Sequence, residues 1–296
     1  MVITISSEMN ILTFDLEDWF HILDHPQTSS YESWEKLEKR IEVNTDRILC
    51  LLEKKNLRAT WFCLGWVAKK YPELIKKISL NHEIACHSVN HQLIYYMSPD
   101  DVRNDIHDNI HFLEDVCGKK ISAYRAPGFS FTKNTKWLVK ILCEAGIKYD
   151  CSIFPMRRNH GGFEKFPLDQ PCRILYGGYE LMEFPMNKCS VGGYEFIFSG
   201  GGYFRLLPYN FISRMMNKSK YVMTYFHPRD FDPGQPVLQG LSLKRKFMSY
   251  VGLKNSLFKL NRLLNDYKFI TLEEAANVIN WKETMVINLE NSNEIK

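Results

Sequence analysis

The feature that most constrains the fold of this chain is an alternation of short apolar runs with stretches of helical spacing, which begins near residue 11. Ile11-Leu12-Thr13-Phe14 reads as a first strand. Over residues 43–55 the apolar positions Val43, Ile48, Leu51 and Leu52 recur at helical spacing, and Lys54-Lys55-Asn56 closes the segment with C-terminal cations and a turn residue. Residues 58–64 read as a second strand ended by Gly65, residues 66–80 as a helix, and Ile84-Ala85-Cys86 as a buried strand. Strands separated by helices of this length pair in parallel, because each crossover helix returns the chain to the same end of the sheet.

The alternation continues. Ser98-Pro99-Asp100-Asp101 is a helix start, with a capping hydroxyl, proline in the first turn and acids behind it, and this helix stops at Gly118. Strands are expected at 121–124, 147–149, 221–226 and 267–271, and helices at 136–144, 208–217, 254–264 and 272–279. From 152 to 202 the pattern loosens into prolines, glycines and short aromatic strands, which reads as an insertion over one end of a barrel. The expectation is a single α/β domain over 1–282 with a polar, fraying tail at 283–296.

Composition narrows the function classes. The 38 basic and 34 acidic residues give a net charge of +4 with no long run of either sign, too even for nucleic acid to be the main partner. Residues 1–10 lack the basic start and apolar core of a secretory leader, and no run approaches the roughly 18 apolar residues of a membrane span, so the expected home is cytoplasmic. The 8 cysteines are scattered singly, without the paired spacing of a structural zinc site, and are expected to be reduced.

The chemistry gathers at the ends of the expected strands. Asp15-Leu16-Glu17-Asp18 follows the first, His87-Ser88-Val89-Asn90-His91 the third, Arg125 the next, then Asp150, and His227 follows the late strand. Core strands do not need such residues, and in a (β/α) barrel this end is where the loops converge on one mouth. Two imidazoles at i and i+4 can grip one divalent ion while filling only two of its positions, and clustered carboxylates are relieved by a cation. A second His-x-x-x-H pair, His107 and His111, lies on a helix flank shared with Asp108 and Glu114 and is read as a solvated face. Gly200-Gly201-Gly202-Tyr203 does not fit a phosphate-cradling loop, and serves a sharp turn or the close approach of a ligand.

Physical chemistry suggests roles for such a set. Two histidines and one carboxylate leave an open position on an ion that makes water more acidic; a second carboxylate takes the proton, and a protonated group gives one to a leaving nitrogen. His227 is a candidate for that acid, with Asp150 or another carboxylate holding its charged form, and Arg125 would keep a neighbouring Asp ionised. The sum is amide hydrolysis.

These residues resemble the carbohydrate esterase family 4 polysaccharide deacetylases, of the NodB homology fold. Thr13-Phe14-Asp15 matches part of the first family motif, His87-Ser88-Val89-Asn90-His91 completes the second, Arg125-Ala126-Pro127 the third, and Tyr225-Phe226-His227 is similar to the late Leu-x-His element. The resemblance implies a distorted, partly open (β/α) barrel of seven parallel strands, one divalent ion with zinc first in order, and hydrolysis of an N-acetyl group on a sugar. It makes Asp15 the base, Arg125 its charge partner, His87 and His91 metal ligands and His227 the acid, with Asp150 a weaker assignment from the partial fourth motif. The family's second adjacent Asp is Leu16 here, so the carboxylate ligand must be Asp18 or Glu17; Asp18 is preferred as a short carboxylate that can return to the mouth. Asp-x-Glu-Asp-Trp is similar to the subgroup without a secretion signal, which includes small-amide hydrolases. Pro127, Phe129, Gly202 and Tyr203 are expected to face the sugar.

The expected substrate is an N-acetylated sugar or glycan still on a nucleotide or lipid carrier. The basic and apolar segment 244–264 is weighed between a helix packed on the barrel and one that touches an anionic membrane surface. The rival functions are a hydrolase of a small non-sugar amide or ureide, and a non-catalytic carbohydrate-binding relative. Self-association as a homo-oligomer is open.

Overall fold

The computed structural model describes residues 8–23, 25–158 and 160–290. The proposed tail beyond 290 and the start of the chain before residue 8 lie outside the described residues. The strands in chain order are β1 (Met9–Ile11), β2 (Thr13–Leu16), β3 (Thr60–Cys63), β4 (Glu83–Cys86), β5 (Ala123–Tyr124), β6 (Tyr149–Asp150), β7 (Cys172–Tyr176), β8 (Tyr179–Glu183), β9 (Cys189–Val191), β10 (Tyr194–Phe196), β11 (Tyr221–Met223) and β12 (Val286–Asn288). The helices are α1 (Tyr31–Lys36), α2 (Ile41–Lys54), α3 (Gly65–Lys70), α4 (Pro72–Ser79), α5 (Pro99–Cys117), α6 (Leu138–Glu144), α7 (Gly201–Leu206), α8 (Tyr209–Lys218), α9 (Leu243–Tyr250), α10 (Leu253–Asp266) and α11 (Leu272–Val278).

The main sheet runs β12-β7-β8-β6-β5-β4-β3-β2, and β1 pairs in parallel with β11. β1 and β2 are one run broken only at Leu12, whose carbonyl accepts from Thr60 N while its own N–H donates to Ile270 O. Residues 9–16 therefore join β3 on one side to β11 on the other, and every contact in the arc β8-β6-β5-β4-β3-β2/β1-β11 is parallel. This is the mostly parallel sheet of a (β/α) barrel. The described residues show no strand ladder between β11 and β8. There Asn187 Oδ1 accepts from Met223 N at 3.1 Å and Tyr221 Oη donates to Pro185 O at 2.8 Å.

A parallel sheet covered by helices buries both of its faces, which is why β2, β3 and β11 are buried throughout. Phe14 stacks on Trp61 at 4.5 Å inside the core. Several boundaries depart from the sequence reading. The expected helix 66–80 is two helices, because Pro72 has no N–H to continue α3 and opens α4 instead. The expected strand 267–271 is reduced to the single bridge of Ile270 to Ile11. Part of the region 152–202 is in the barrel wall: β8 pairs in parallel with β6, and β7 returns antiparallel to it. Residues 286–289 fall within the expected polar tail, yet they are packed on the sheet. β12 pairs with β7, and Ile287 and Leu289 are buried, since their apolar side chains gain more from the core than a solvated end would.

The helix opened by Ser98 is formed as the cap signal predicts: Ser98 Oγ accepts from Asp101 N, and Gly118 closes α5 in the left-handed region at φ 66°. His107 and His111 lie on its exposed flank, near Asp108 and Asp115. Among the described residues no helix is long and apolar enough to cross a membrane.

Candidate active site

β2 ends at Leu16, β4 at Cys86, β5 at Tyr124 and β11 at Met223, so Asp15, Glu17, His87, His91, Arg125 and His227 come to one end of the sheet. The loop that carries the histidines is clamped from α5. Asn109 Nδ2 donates to Ser88 O at 2.8 Å and to Cys63 O at 3.0 Å, and both oxygens of Asp105 accept from Val89 N at 3.1 Å. The clamp holds Ser88 at φ 70° and His91 at φ 54°, a left-handed backbone that costs about 1 kcal/mol or more for such residues and persists where the surroundings enforce it.

Glu17, not Asp18, meets the imidazoles. Glu17 Oε1 lies 3.0 Å from His87 Nε2 and 2.9 Å from His91 Nε2, all three residues being buried. Burial alone would raise the Glu17 carboxyl, but His91, His227 and His87 outweigh it and hold the group well below the usual carboxylate range. The preference for Asp18 is corrected, because both of its oxygens are occupied elsewhere. Oδ1 accepts from Trp19 N at 2.8 Å, and Oδ2 from Arg40 N at 2.9 Å and Ile41 N at 3.1 Å, so that Asp18 caps α2. Burial still pushes its carboxyl up to about 6, against those backbone donors. Leu16, in place of the second Asp of the family motif, is fully buried in the apolar core.

The trio fits a divalent cation on its own chemistry. His87 Nδ1 lies 2.7 Å from the Arg125 carbonyl oxygen, so it must carry the proton, and in the neutral ring Nε2 then presents a lone pair to Glu17. Two acceptors at 3.0 Å repel unless a proton or a cation stands between them. His91 Nε2 is also buried and makes no hydrogen bond. Two imidazoles and a carboxylate are the donor set of an open zinc site.

Beside the trio stands Asp15, whose Oδ1 accepts from Arg125 Nη1 at 2.6 Å. Arg125 is fully buried; its Nη1 also donates to Thr13 Oγ1 at 2.9 Å, Nε to Cys151 O at 3.3 Å, and its guanidinium lies 4.0 Å from the Phe62 ring. The other Asp15 oxygen is 3.8 Å from His227 Nε2. His227 Nδ1 lies 2.9 Å from Asp230 Oδ2, which also accepts from the His227 backbone N–H. Burial would lower the His227 imidazole, but Glu17, Asp230 and Asp15 outweigh it and raise it to about 9. Burial would raise Asp230, yet His227 and Arg205 hold it at about 2, the Arg205 Nε being 3.1 Å from Asp230 Oδ1.

The carboxylate that supports His227 is therefore Asp230, and the expectation for Asp150 is corrected. Asp150 is fully buried outside the cavity lining, accepts from Ser152 Oγ at 2.5 Å, and is pushed up to about 6 by burial. Its neighbour Glu183 is driven well above the carboxylate range by burial and by Asp150 itself. The signal for Asp230 was present in the sequence: Pro228 opens a tight turn that brings residue i+3 back to His227. Asp105, Asn109 and Arg205 had no such local signal.

A cavity of about 500 Å³ is lined by Asp15, Glu17, His91 and His227, and also by Phe129, Gly202 and Tyr203, three of the residues expected to face a substrate. Pro127, the fourth, is buried outside that lining. Gly200 is needed for packing, since a Cβ there would meet the Tyr225 carbonyl oxygen at 2.4 Å. His21, given no role from sequence, lines the cavity as well. Its Nδ1 accepts from Asp18 N at 3.0 Å, so the ring proton sits on Nε2, which is buried without a partner. Burial pushes this imidazole well below its usual range, and it is neutral.

Residues 11–149 match the polysaccharide deacetylase family, and residues 151–277 match a domain of unknown function designated DUF3473. A peptidoglycan deacetylase of Helicobacter pylori is 30% identical over 113 residues, 38% of this chain and 38% of that protein. A peptidoglycan-N-acetylglucosamine deacetylase of Bacillus cereus is 32% identical over 95 residues, 31% of this chain and 34% of that protein. The chain thus aligns with little more than a third of the length of these two relatives. A crystal structure from Mycobacterium smegmatis, assigned among the polysaccharide deacetylases, superposes with a TM-score of 0.66 at 20% identity, covering 96% of this chain and 94% of that one. That likeness shows the fold.

Proposed function

We propose that this chain, whose residues 11–149 match the polysaccharide deacetylase family, is a metal-dependent hydrolase that removes the acetyl group from the nitrogen of an amino sugar. The observation that carries the reading is the convergence of three arrangements on one cavity: Glu17 with His87 and His91, Asp15 with Arg125, and His227 with Asp230. Glu17, His87 and His91 would hold the ion, with zinc favoured by the donor set. When bound, such an ion supplies polarisation of the amide carbonyl and a lower pKa for water.

The chain's own residues supply the rest. Asp15, fixed by Arg125, accepts the proton of the attacking water as its oxygen bonds to the acetyl carbon. His227, kept protonated by Asp230, donates from Nε2 to the sugar nitrogen as the carbon–nitrogen bond breaks. Acetate and a free amine leave. His227 thus serves as the acid and Asp15 as the base, each oriented by its own partner.

Residues 1–282 are read as one domain serving this site. The proposal includes action at the cytoplasmic face of the membrane, on a precursor of a cell-surface polysaccharide. α9 supports a peripheral contact: it has no buried residue, Leu243 is 89% and Phe247 54% exposed, and Lys244 and Lys246 lie between them. Sedimentation with anionic liposomes at low and high salt tests this, and absence of binding at low salt excludes it.

The function is tested by acetate release from a panel of N-acetylated sugars and glycans. Release should stop on chelation and return with zinc. Asp15→Asn should keep the metal while losing about 10²–10⁴-fold in turnover. Activity confined to a ureide would establish the small-amide reading, and a protein that takes up neither metal nor turns over any amide would be a binder.

A further inference from the structure

We infer that the substrate carries a phosphoryl group, which the basic part of the cavity lining recognises through Arg158, Arg229 and Lys244; this rests on the N-acetyl sugar reading above and narrows it. Among the described residues the charges of the cavity do not balance. The carboxylates of that lining are Asp15, Glu17 and Asp230, and each is already engaged: Asp15 by Arg125, Glu17 by the two imidazoles, Asp230 by His227 and Arg205. Arg158, Arg229 and Lys244 line the same cavity, and among the described residues none has a carboxylate within ion-pair distance.

Arg158 is the best prepared of the three. Its guanidinium lies 4.4 Å from the Phe154 ring centroid and 4.9 Å from that of Phe129, held by aromatic faces rather than by acceptors. Its Nη1 is buried and makes no hydrogen bond, and no other hydrogen bond to the guanidinium occurs among the described residues. Contact with rings holds a guanidinium in place without consuming its N–H groups, and those edge donors match an oxyanion. Elsewhere in this site arginines spend their donors on the protein itself: Arg205 donates to the carbonyls of Met248, Ser249 and Val251, and Arg125 to Asp15, Thr13 and Cys151.

Three cations call for more than one negative charge, which a phosphate monoester or a diphosphate offers and a single carboxylate does not. These cations also share one cavity of about 500 Å³ with Asp15, Glu17 and His227, so the anion and the amide must lie close together on the ligand. An amino sugar acetylated at one ring carbon and phosphorylated at its anomeric carbon meets that condition. A nucleotide-linked sugar and a lipid diphosphate-linked sugar share this chemistry.

The experiment measures kcat/KM of the zinc-loaded full chain for the methyl glycoside of N-acetylglucosamine, its 1-phosphate, its uridine diphosphate conjugate and a short polyprenyl diphosphate conjugate. At least one phosphorylated form should exceed the neutral glycoside by about tenfold or more, and whichever conjugate is best identifies the carrier. Arg158→Gln should cut that ratio about fivefold or more, Arg158→Lys less, and Lys244→Gln, at an exposed position, about twofold. Binding of inorganic pyrophosphate to chelator-treated protein should weaken in the same order. A ratio near one in the wild type, a ratio unmoved by both Arg158→Gln and Lys244→Gln, or a preference for a carboxylate-bearing sugar would overturn the inference while leaving the deacetylase reading intact. Turnover of no N-acetyl sugar in the panel would overturn that reading instead.

Discussion

Glu17 and Asp18 are neighbours in the chain whose carboxylates serve different parts of the molecule: Glu17 Oε1 lies 3.0 Å from His87 Nε2, whereas Asp18 accepts three backbone N–H groups and caps α2. Their removal should therefore separate metal from stability. Glu17→Gln should lose bound zinc with little change in the metal-free unfolding midpoint. Asp18→Asn should keep zinc and lose about 1 kcal/mol of stability, the usual cost of a lost helix cap. Metal content by elemental analysis, paired with thermal unfolding of the chelated proteins, checks both.

Asp230 stabilises the charged imidazole of His227 across 2.9 Å. Replacing it with Asn removes a negative charge that favours the protonated ring, so the His227 pKa must fall. The alkaline limb of the kcat/KM profile should move to lower pH by on the order of one unit, with the acidic limb unmoved. An unchanged alkaline limb would assign the proton donor elsewhere.

The pair of Asp150 and Glu183 predicts a pH dependence of stability unrelated to catalysis. Their ordinary values are 3.8 and 4.5, and burial raises both, Asp150 to about 6 and Glu183 further. A carboxyl with a raised folded pKa binds its proton more tightly in the native state than in the unfolded chain. Its stabilisation is complete below about pH 4 and is lost as pH rises through about 6. Glu183→Gln keeps an oxygen for Ile153 N–H while removing the titrating carboxyl. The variant should lose less stability than wild type between pH 5 and pH 8 in denaturant titrations.

Asn109 reaches from α5 to hold the Ser88 and Cys63 carbonyls beneath the histidines, without touching the cavity. Asn109→Ala should release a loop whose Ser88 and His91 have positive φ, and weaken zinc affinity by about 10–100-fold, as loss of ligand support does in metal sites. Competition with a chromogenic chelator measures this directly. An affinity equal to wild type would mean that the loop holds its shape unaided.

How much of this was legible in the chain depends on how local the cause is. The alternation of strands and helices, the Ser98 and Gly118 ends of α5, and the gathering of Asp15, His87, His91, Arg125 and His227 at strand ends all follow from period, caps and parallel pairing, which act within a few residues. By itself, the sequence determined which residues had to reach the mouth of the barrel. The tertiary structure alone decided what each found there. A carboxylate's role is set by whichever donors come within about 3 Å, and these came from afar: Arg40 and Ile41 took Asp18, and His87 and His91 took Glu17. Asp230 displaced Asp150 beside His227 because a proline turn brings it within reach while Asp150 is buried against Glu183. Hydrogen bonds are satisfied in space, and chain order constrains them only through the fold.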